Sequence, residues 1–522
     1  MKLLNSEQMQ RADHRTIEEV GLPGAVLMEN AGAGVTRILK NRCSQWRTKQ
    51  ILILAGGGNN GGDGFVIARR LLQSEAKVSL ILFGKTAKLQ GDALLHFNVF
   101  KNIGGSIREI DSPQQLSKIQ SMAAHSCIVV DAVFGTGLIR PVSGVIAQSF
   151  AIINQLDIPV LAVDLPSGVC ANSGRILGCA LKARWTVTFG VEKIGHRIYP
   201  GAGLCGEIIT VPIGIPDQFI DIEQHTVARN QLEDLTIPSR KSDGHKGSFG
   251  HLLIVAGGVG KEGAASLTAM GALRTGPGLV TVATPEPSRQ IIASKLTEAM
   301  TIPLPVEGNQ QDLATNWLNK ILDSAIKPSA MAIGPGLGTQ TNLNICVQAL
   351  TLQWKDIPIV LDADALNLLA ITGGEIQLVT QQRSAPLILT PHPGELARLL
   401  QLTVPEIQKD RLGIAVKTAK EWQIWLVLKG ADTIIAAPDG RAWINDNGNS
   451  GLASGGSGDL LTGIIAGLLT QGWSPETGVR CGVWLHGAAA DAAVVDGNSE
   501  SGLLAQDLLP YIIKLQSDLM NG

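Results

Sequence analysis

The residues best placed to do chemistry sit where short apolar runs end. Ile51-Leu52-Ile53-Leu54-Ala55 leads into Gly56-Gly57-Gly58-Asn59-Asn60-Gly61-Gly62-Asp63-Gly64. Gly56, Gly58 and Gly61 have the G-x-G-x-x-G spacing that follows a strand in dinucleotide sites. Glycine there permits positive φ and a close approach of ligand to backbone, and the next helix offers free N–H groups to a phosphate. The acid expected about twenty residues further on in a redox dinucleotide site is missing, because Lys77–Phe83 ends in Gly84-Lys85-Thr86. Nor is that tripeptide the end of a phosphate-binding Walker loop, since Ser79 stands where its first glycine belongs. A plain tight turn is the other reading of the glycine loop. Against it, Asn59, Asn60 and Asp63 add polar groups that a turn does not need.

Two more run ends carry polar residues. Ile128-Val129-Val130 ends in Asp131, with Gly135-Thr136-Gly137 beyond, and Val160–Val163 runs into Asp164-Leu165-Pro166-Ser167-Gly168. In an open parallel sheet, ligands bind at the carboxyl ends of strands, so Asn60, Asp131, Asp164 and Ser167 could converge on one cleft. All are hard oxygen donors without His or Cys, so an ion held there would be an alkali or alkaline-earth cation. Each acid taken alone also reads as a helix cap.

A second constellation lies near the C-terminus. Gly455-Gly456-Ser457-Gly458-Asp459 precedes the apolar run Leu460–Leu469. Glycine amides at a helix N-terminus form an anion hole. Asp459 reads either as a favourable N-terminal charge, worth about 0.3–1 kcal/mol, or as a general base for a hydroxyl beside a bound phosphate. Lys429-Gly430-Ala431-Asp432-Thr433 lies between two strand-like runs, as a nucleotide-edge turn would. Thr390-Pro391-His392-Pro393-Gly394-Glu395 holds His392 in a rigid extended segment, with a surface-turn histidine as the other reading. Gly334-Pro335-Gly336-Leu337-Gly338 and Asp362-Ala363-Asp364 close further runs, and Lys246-Gly247 with Ala256-Gly257-Gly258 stands at the entrance of this half. So much Gly and Asp at run ends points to a phosphate-rich ligand.

The elements that must position these residues form two series. Residues 5–41 read as two helices parted by Gly21-Leu22-Pro23-Gly24. Short β-rich runs follow at Gln50–Ala55, Lys77–Phe83, Cys127–Val130 and Pro159–Val163, with helical character at Phe65–Leu72. From His251 a second series begins, with strands at Leu252–Ala256, Leu279–Ala283, Ala332–Ile333, Pro358–Leu361, Leu387–Leu389 and Ile424–Leu428. Its helices fit 262–274, 341–352, 404–420, 457–470 and 475–493. Alternation of this kind implies parallel sheets covered on both faces. Between Pro212 and Arg240 the pattern weakens into a linker, which places a boundary near residue 225 and gives domains 1–225 and 226–522. No repeat of 20–50 residues is visible.

Composition narrows the classes. The 522 residues carry 43 basic and 45 acidic side chains, a net charge of −2, which argues against a nucleic-acid-wrapping surface. At 45% apolar and 17% charged, the chain fills large cores and is not disordered. No apolar stretch approaches the roughly 18 residues of a membrane span, and Met1 to Val20 lacks the apolar segment of a signal peptide. Seven cysteines, never spaced C-x-x-C, suggest neither a disulfide framework nor a zinc site, and reduced thiols in a cytoplasmic protein are expected.

Taken together, these residues resemble the bifunctional NAD(P)H-hydrate repair enzymes, over nearly the whole chain. The first half resembles the NAD(P)HX epimerase through Leu27-Met28-Glu29-Asn30-Ala31-Gly32, the Asn59–Gly64 loop, Asp131 with Gly135-Thr136-Gly137, and Asp164-Leu165-Pro166-Ser167-Gly168. The second resembles the ADP-dependent NAD(P)HX dehydratase through His245-Lys246-Gly247, Gly334–Gly338, Thr390–Glu395, Lys429–Thr433 and Gly458-Asp459. The resemblance implies an α/β chain of two domains, an N-terminal Rossmann-like three-layer sandwich and a C-terminal ribokinase-like α/β domain. It also implies that Asn59, Asn60, Gly61, Gly62, Asp63, Gly135, Thr136, Gly137, Leu138, Ile139, Arg140, Pro141 and Asp164 hold the hydrated dinucleotide, and that Asn60, Asp131 and Ser167 bind K⁺. In the second half, Ala264, Gly338, His392 and Asp459 would face the substrate, while Lys429, Gly430, Ala431, Asp432, Thr433 and Gly458 would face ADP or ATP with its Mg²⁺. NADHX and NADPHX are the implied substrates, and a homo-oligomer the expected assembly, with no nucleic-acid or membrane partner. In this sequence Ala55-Gly56-Gly57-Gly58 replaces a frequent Gly-Pro-Gly, Gly257–Glu262 lacks a common Ser and Met, and Gly455-Gly456-Ser457 replaces a frequent Gly-Thr.

The implied chemistry starts from a hydroxyl on C6 of the nicotinamide ring, in R or S configuration. Phosphorylation makes it a leaving group, Asp459 takes its proton, and phosphate elimination restores the double bond. Asp164 is the candidate base of the epimerase. Two rivals stay open: a small-molecule kinase of the ribokinase-like fold fused to a dinucleotide-binding module, whose product would be a stable phosphate ester, and a non-catalytic binding scaffold.

Overall fold

The computed structural model describes residues 1–221, 227–307, 310–340, 343–371 and 376–521. They divide into two compact units, Lys2–Val227 and Ala228–Gly522, the latter with Met1. A boundary between residues 225 and 226 lies outside the described residues.

The first unit is built on β1 (Gln50–Ala55), β2 (Lys77–Phe83), β3 (Ile107–Ile110), β4 (Ser126–Ala132), β5 (Val160–Val163), β6 (Trp185–Phe189) and β7 (Glu207–Val211). Their order is β3-β2-β1-β4-β5-β6-β7, all parallel. Both faces are covered because β1 is apolar on both. Ile51, Ile53 and Ala55 pack with the helices Gly24–Arg42, Asn59–Leu72 and Gly91–Asn102. Leu52 and Leu54 point the other way, toward Leu116–Ala124 and Gly144–Gln155. The result is a three-layer sandwich. The order reverses between β1 and β4, which opens a crevice at their carboxyl ends.

Three of these strands escape the periodicity reading. β3 is a short edge strand and β7 the opposite, half-exposed edge. In β6, Trp185, Val187 and Phe189 alternate with buried Thr186 and Thr188, so the run does not read as apolar. The glycine loop after β1 is also shorter than its sequence implies: Asn59 to Gly64 already belong to the Asn59–Leu72 helix.

The second unit carries β8 (Val227–Arg229), β9 (His251–Val255), β10 (Leu279–Pro285), β11 (Met300–Leu304), β12 (Ala330–Ile333), β13 (Ile359–Leu361), β14 (Leu387–Leu389), β15 (Trp425–Leu428), β16 (Thr433–Ala436) and β17 (Ala442–Asn445). Their order is β11-β10-β9-β12-β13-β14-β15-β16-β17-β8, parallel from β11 to β15 and antiparallel from β15 to β17. β8 is a correction to the linker reading of 212–240: three of those residues form an edge strand. The helix expected at 404–420 is two, Val404–Lys409 and Arg411–Trp422, broken at Asp410, whose carboxylate accepts from Gly413 N–H at 3.0 Å. Of the helix expected at 341–352, Leu343–Gln353 is present, and residues 341–342 lie outside the described residues.

Two helices of this unit pack unusually closely. A Cβ on Gly463 would stand 1.9 Å from the Thr268 carbonyl, one on Gly467 2.2 Å from Thr275 Oγ1, and one on Gly271 2.5 Å from the Leu460 carbonyl. Only glycine permits this approach of Ser457–Thr470 to Glu262–Thr275. It fixes the helix start carrying Asp459 against the segment carrying Ala264. Among the described residues, no helix is long and apolar enough to cross a membrane.

Candidate active sites

At the β1/β4 crevice lies a cavity of about 540 Å³. Its walls include Gly57, Gly58, Asn59, Asn60 and Asp63 after β1, Val133 to Leu138 after β4, and Asp164 after β5. The glycines divide by role. A Cβ on Gly56 or Gly61 would strike the protein's own backbone, at 2.1 Å from the Val133 carbonyl and 1.8 Å from the Gly56 carbonyl, and one on Gly62 would strike Met28. Gly57 and Gly58 have open space before them, and Gly58 starts the helix without a side-chain cap. Its first amides are therefore free for an anion. Thus Gly61 and Gly62 pack inward, while Ile139, Arg140 and Pro141 are exposed and outside the cavity lining.

The strand-end acids and amides do come together. A Cβ on Gly135 would lie 3.2 Å from both Asn60 Oδ1 and Asp164 Oδ2. Asp131 is fully buried. Its Oδ1 accepts from Ser167 Oγ at 2.6 Å and Val133 N–H at 3.3 Å, and its Oδ2 from Ser167 N–H at 2.7 Å. Phe134 N–H donates to Ser167 Oγ at 2.8 Å. Asn60 Nδ2 is buried without a partner. Burial pushes the Asp131 carboxyl up to about 6, against the pull of the Ser167 and Val133 hydrogen bonds. This is a buried carboxylate answered only by neutral donors, with hydroxyl and amide oxygens at hand, and a monovalent cation fits that charge and donor set. Among the described residues no group of three or more His, Cys, Asp or Glu side chains could hold a metal, so an ion here would combine the single Asp131 carboxylate with neutral oxygens.

Asp164 is held differently. Its φ is +69°. Its Oδ1 accepts from Lys193 Nζ at 2.6 Å and Thr188 Oγ1 at 3.0 Å, and its carbonyl accepts from His196 Nε2 at 2.8 Å. Burial would raise its carboxyl, but the charge and hydrogen bond of Lys193 outweigh it and hold the group below the usual carboxylate range. Two neighbours go the other way. Asp63 is pushed well up by burial and by the charges of Asp164 and Asp13. Asp13 rises to about 6, through burial that exceeds the pull of Lys193, with Asp164 adding to the rise. Asp13 and Lys193 have no motif signal. Asp13 lies mid-helix in Ser6–Glu19, and Lys193 follows β6, the strand that alternation conceals.

In the second unit the strand ends are tied to one another. Gly257 and Gly258 N–H groups donate to the Pro335 and Gly336 carbonyls at 2.9 and 2.6 Å. A Cβ on Gly336 would stand 2.9 Å from Ala264 Cβ. Asp364 Oδ2 accepts from Gly338 N–H at 2.8 Å and Lys261 Nζ at 2.9 Å. Asp362 is buried, accepting from Lys429 Nζ at 2.7 Å and Thr462 Oγ1 at 2.7 Å. Lys429 Nζ also lies 4.0 Å from Glu395 Oε2, and 3.2 Å from where a Cβ on Gly458 would be. Lys429 is therefore at the centre of an acid cluster and beside the glycine helix start. Its ammonium is held above its usual range: burial opposes this, but Asp362, Glu395 and Asp459 prevail.

Asp459 sits in the first turn of Ser457–Thr470, whose N-cap Gly456, φ +90°, supplies no side-chain cap. Burial pushes its carboxyl up to about 6, aided by Asp362, Asp364 and Glu395 and opposed by Lys429. His392 caps its own helix: Nδ1 accepts from Gly394 and Glu395 N–H at 3.0 and 3.3 Å, and Nε2 lies 3.4 Å from Glu395 Oε1. Burial lowers its pKa despite Glu395. The Lys429–Thr433 turn joins β15 to β16 as the sequence suggests. Within it Asp432 is buried, 3.5 Å from the Arg411 guanidinium, which also donates to the Asp432 carbonyl at 2.9 Å. That side chain braces the turn, leaving Gly430 and Ala431 as its outer edge. Glu395, Thr462 and Lys261 were not singled out from the sequence. Lys261 and Glu395 follow glycine-bearing loops after β9 and β14, and Thr462 lies one turn beyond Asp459 on its helix.

Two family models match this chain: one described as YjeF-related protein N-terminus over residues 24–195, the other as NAD(P)H-hydrate dehydratase over residues 252–514. A Moorella thermoacetica protein named bifunctional NAD(P)H-hydrate repair enzyme Nnr is 41% identical, over 98% of this chain and 97% of that protein. The Escherichia coli protein of the same name is 33% identical over 98% and 93%. A solved structure of an ADP/ATP-dependent NAD(P)H-hydrate dehydratase from Bacillus subtilis, co-crystallised with ATP/Mg²⁺, is 36% identical, covers 54% of this chain and 94% of its own, and has a TM-score of 0.48.

Proposed function

The chain belongs to the family of bifunctional NAD(P)H-hydrate repair enzymes, and from that premise we propose that the β1/β4 cavity is its epimerase site and the Asp362–Lys429–Asp459 cluster its dehydratase site. Its function is the repair of hydrated nicotinamide cofactors, by epimerisation of R and S NAD(P)HX and nucleotide-dependent dehydration of the S form.

For the dehydratase, the carrying observation is the pairing of Asp459 with an uncapped glycine helix start beside Lys429. The amides of Gly456 and Gly458 and the Lys429 ammonium take up charge on a transferring phosphoryl group. Asp459, poised near 6, accepts the C6 hydroxyl proton. Asp362 holds Lys429, and Thr462 holds Asp362, so the ammonium keeps its place. Ala264 and Gly338 line the substrate side, and Gly430, Ala431 and Thr433 the nucleotide edge. The nucleotide is ADP or ATP with Mg²⁺, an ion that would take oxygen ligands and offset phosphate charge.

For the epimerase, the cavity carries the reading. The dinucleotide's phosphates lie at the free amides after Gly58, and its hydrated ring lies toward Asp164, the base. Asp131, Ser167 and Asn60 would hold K⁺, whose charge offsets the buried Asp131 carboxylate and fixes the loops after β4 and β5. A homo-oligomer in a reducing compartment completes the proposal; all seven cysteines are free thiols.

The test is recovery of reduced-nicotinamide absorbance from an R/S hydrate mixture with ADP or ATP. Full recovery with release of inorganic phosphate is expected. Recovery of only the S fraction would overturn the epimerase site, and a stable phosphate ester would instead mark a kinase.

A further inference from the structure

The epimerase cavity contains more acid than one base requires. Asp13, from the N-terminal helix Ser6–Glu19, lines the same cavity as Asp164, Asp63 and Asp92. Lys193 is 1% exposed and spends its three donors on Asp164 Oδ1, Thr188 Oγ1 and the Phe189 carbonyl, at 2.6, 2.8 and 3.0 Å. It is thus committed to Asp164. His196 cannot serve in its place. Its Nε2–H donates to the Asp164 carbonyl, its Nδ1 accepts from Lys193 N–H at 2.9 Å, and burial lowers its pKa to about 4.

Epimerisation at C6 has a physical requirement that one carboxylate does not meet. On the route that breaks the C6–O bond, the hydroxyl leaves from one face and returns on the other. Departure as hydroxide is costly, so a proton donor is needed on the leaving face and an acceptor on the arriving face. A pair of carboxyl groups in different environments supplies both.

Resting on the epimerase reading above, we propose that Asp13 is the second catalytic residue of that site, the acid that works opposite Asp164. In one direction Asp13 donates its proton to the C6 hydroxyl oxygen. The C6–O bond breaks, water leaves, and the N1 lone pair forms a C6=N1 bond. A water on the opposite face then forms the new C6–O bond, its proton passes to the Asp164 carboxylate, and the electron pair returns to N1. Composition is unchanged; one proton has moved from Asp13 to Asp164, and the reverse reaction or exchange with solvent returns it.

The surroundings assign the two roles. Asp164 faces Lys193 at hydrogen-bond distance and stays ionised. Asp13 feels Lys193 without such a bond, and the charge of Asp164 opposes its ionisation, so it keeps its proton up to about 6. Asp63 is buried more deeply, at 8% exposed, in the first turns of Asn59–Leu72, and burial with the charges of Asp164 and Asp13 pushes its carboxyl well up.

The experiment uses the full chain, with epimerisation and dehydration followed separately on R and S hydrate. The parent's epimerisation kcat/KM should be level below about pH 6 and fall about tenfold per unit above it, as Asp13 loses its proton. Asp13→Asn should lose about 10²-fold or more of epimerisation together with that limb, while dehydration of the S hydrate is unchanged. Asp13→Glu should restore part of the rate and a shifted limb, which shape alone would not do. Reaction in ¹⁸O-water should place the label in the C6 hydroxyl. An Asp13→Asn variant within about threefold of the parent, or one that keeps the limb while Asp63→Asn loses it, overturns the proposal. Asp164→Asn separates the two readings: if it too leaves epimerisation intact, the cavity is not the epimerase site at all.

Discussion

At the scale of residues, the molecule sets similar carboxyls to different tasks by what surrounds them. Asp459 has no hydrogen-bonded cation but three acidic neighbours, and it rises to about 6. If it is the base, only its ionised form works, so dehydration should increase with pH up to about 6 and level off above. Asp459→Asn should abolish that limb and cost about 10²-fold or more in rate, with nucleotide binding and epimerisation kept. A loss of only about 1 kcal/mol of stability with the rate intact would make it a cap. Asp131 gives a prediction with a different readout. Thermal unfolding of the parent should move to higher temperature in KCl relative to a bulky-cation chloride, since an ion that binds only the folded state stabilises it. Asp131→Asn should remove the difference. An equal KCl effect in parent and variant argues against K⁺ at Asp131.

At the scale of elements, glycine separates ligand approach from self-packing. Gly57→Ala meets nothing within 4 Å, and its φ is not positive. It should leave stability within about 0.5 kcal/mol of the parent, so any rise in KM for epimerisation reports a ligand against that backbone. Gly463→Ala drives a Cβ to 1.9 Å from the Thr268 carbonyl. Overpacking of that kind costs about 1–3 kcal/mol and should shift the Asp459 helix start, lowering denaturation midpoint and dehydration rate together. Both readouts left at parental values would show that the close packing does not position the site. The same contrast shows what was legible in the sequence. Strands buried on both faces, such as β1, β13 and β14, stand out as apolar runs. β6 hides behind Thr186 and Thr188, and β17, the second strand of a short hairpin, has four residues that offer little period. The strand ends at Asp131, Asp164 and Asp362 were visible because their strands were. Lys193 was not, because it follows β6, and Asp13 was not, because one acid on an amphipathic helix reads as solvated surface.

At the scale of the whole molecule, each unit has its own sheet and its own core. The first gathers around Ile53, Phe65, Leu161 and Val187 on one face and Leu52, Val129 and Phe150 on the other. The second gathers around Ile254, Ala332, Val427 and Ile465, with a further cluster around Ile464 and Leu485. Both units are large enough to sustain a core of their own. A cut between Asp221 and Val227 leaves β7 in one fragment and β8 in the other. Each fragment should therefore express as a folded unit with one cooperative transition in urea, the first epimerising and the second dehydrating the S hydrate alone. The two reactions share only a dissolved product, so mixing the fragments should restore recovery from the R hydrate without any covalent link. If both fragments fold yet the mixture recovers only the S fraction, the epimerase depends on the linked chain. If neither shows a cooperative transition, the division into two domains is wrong.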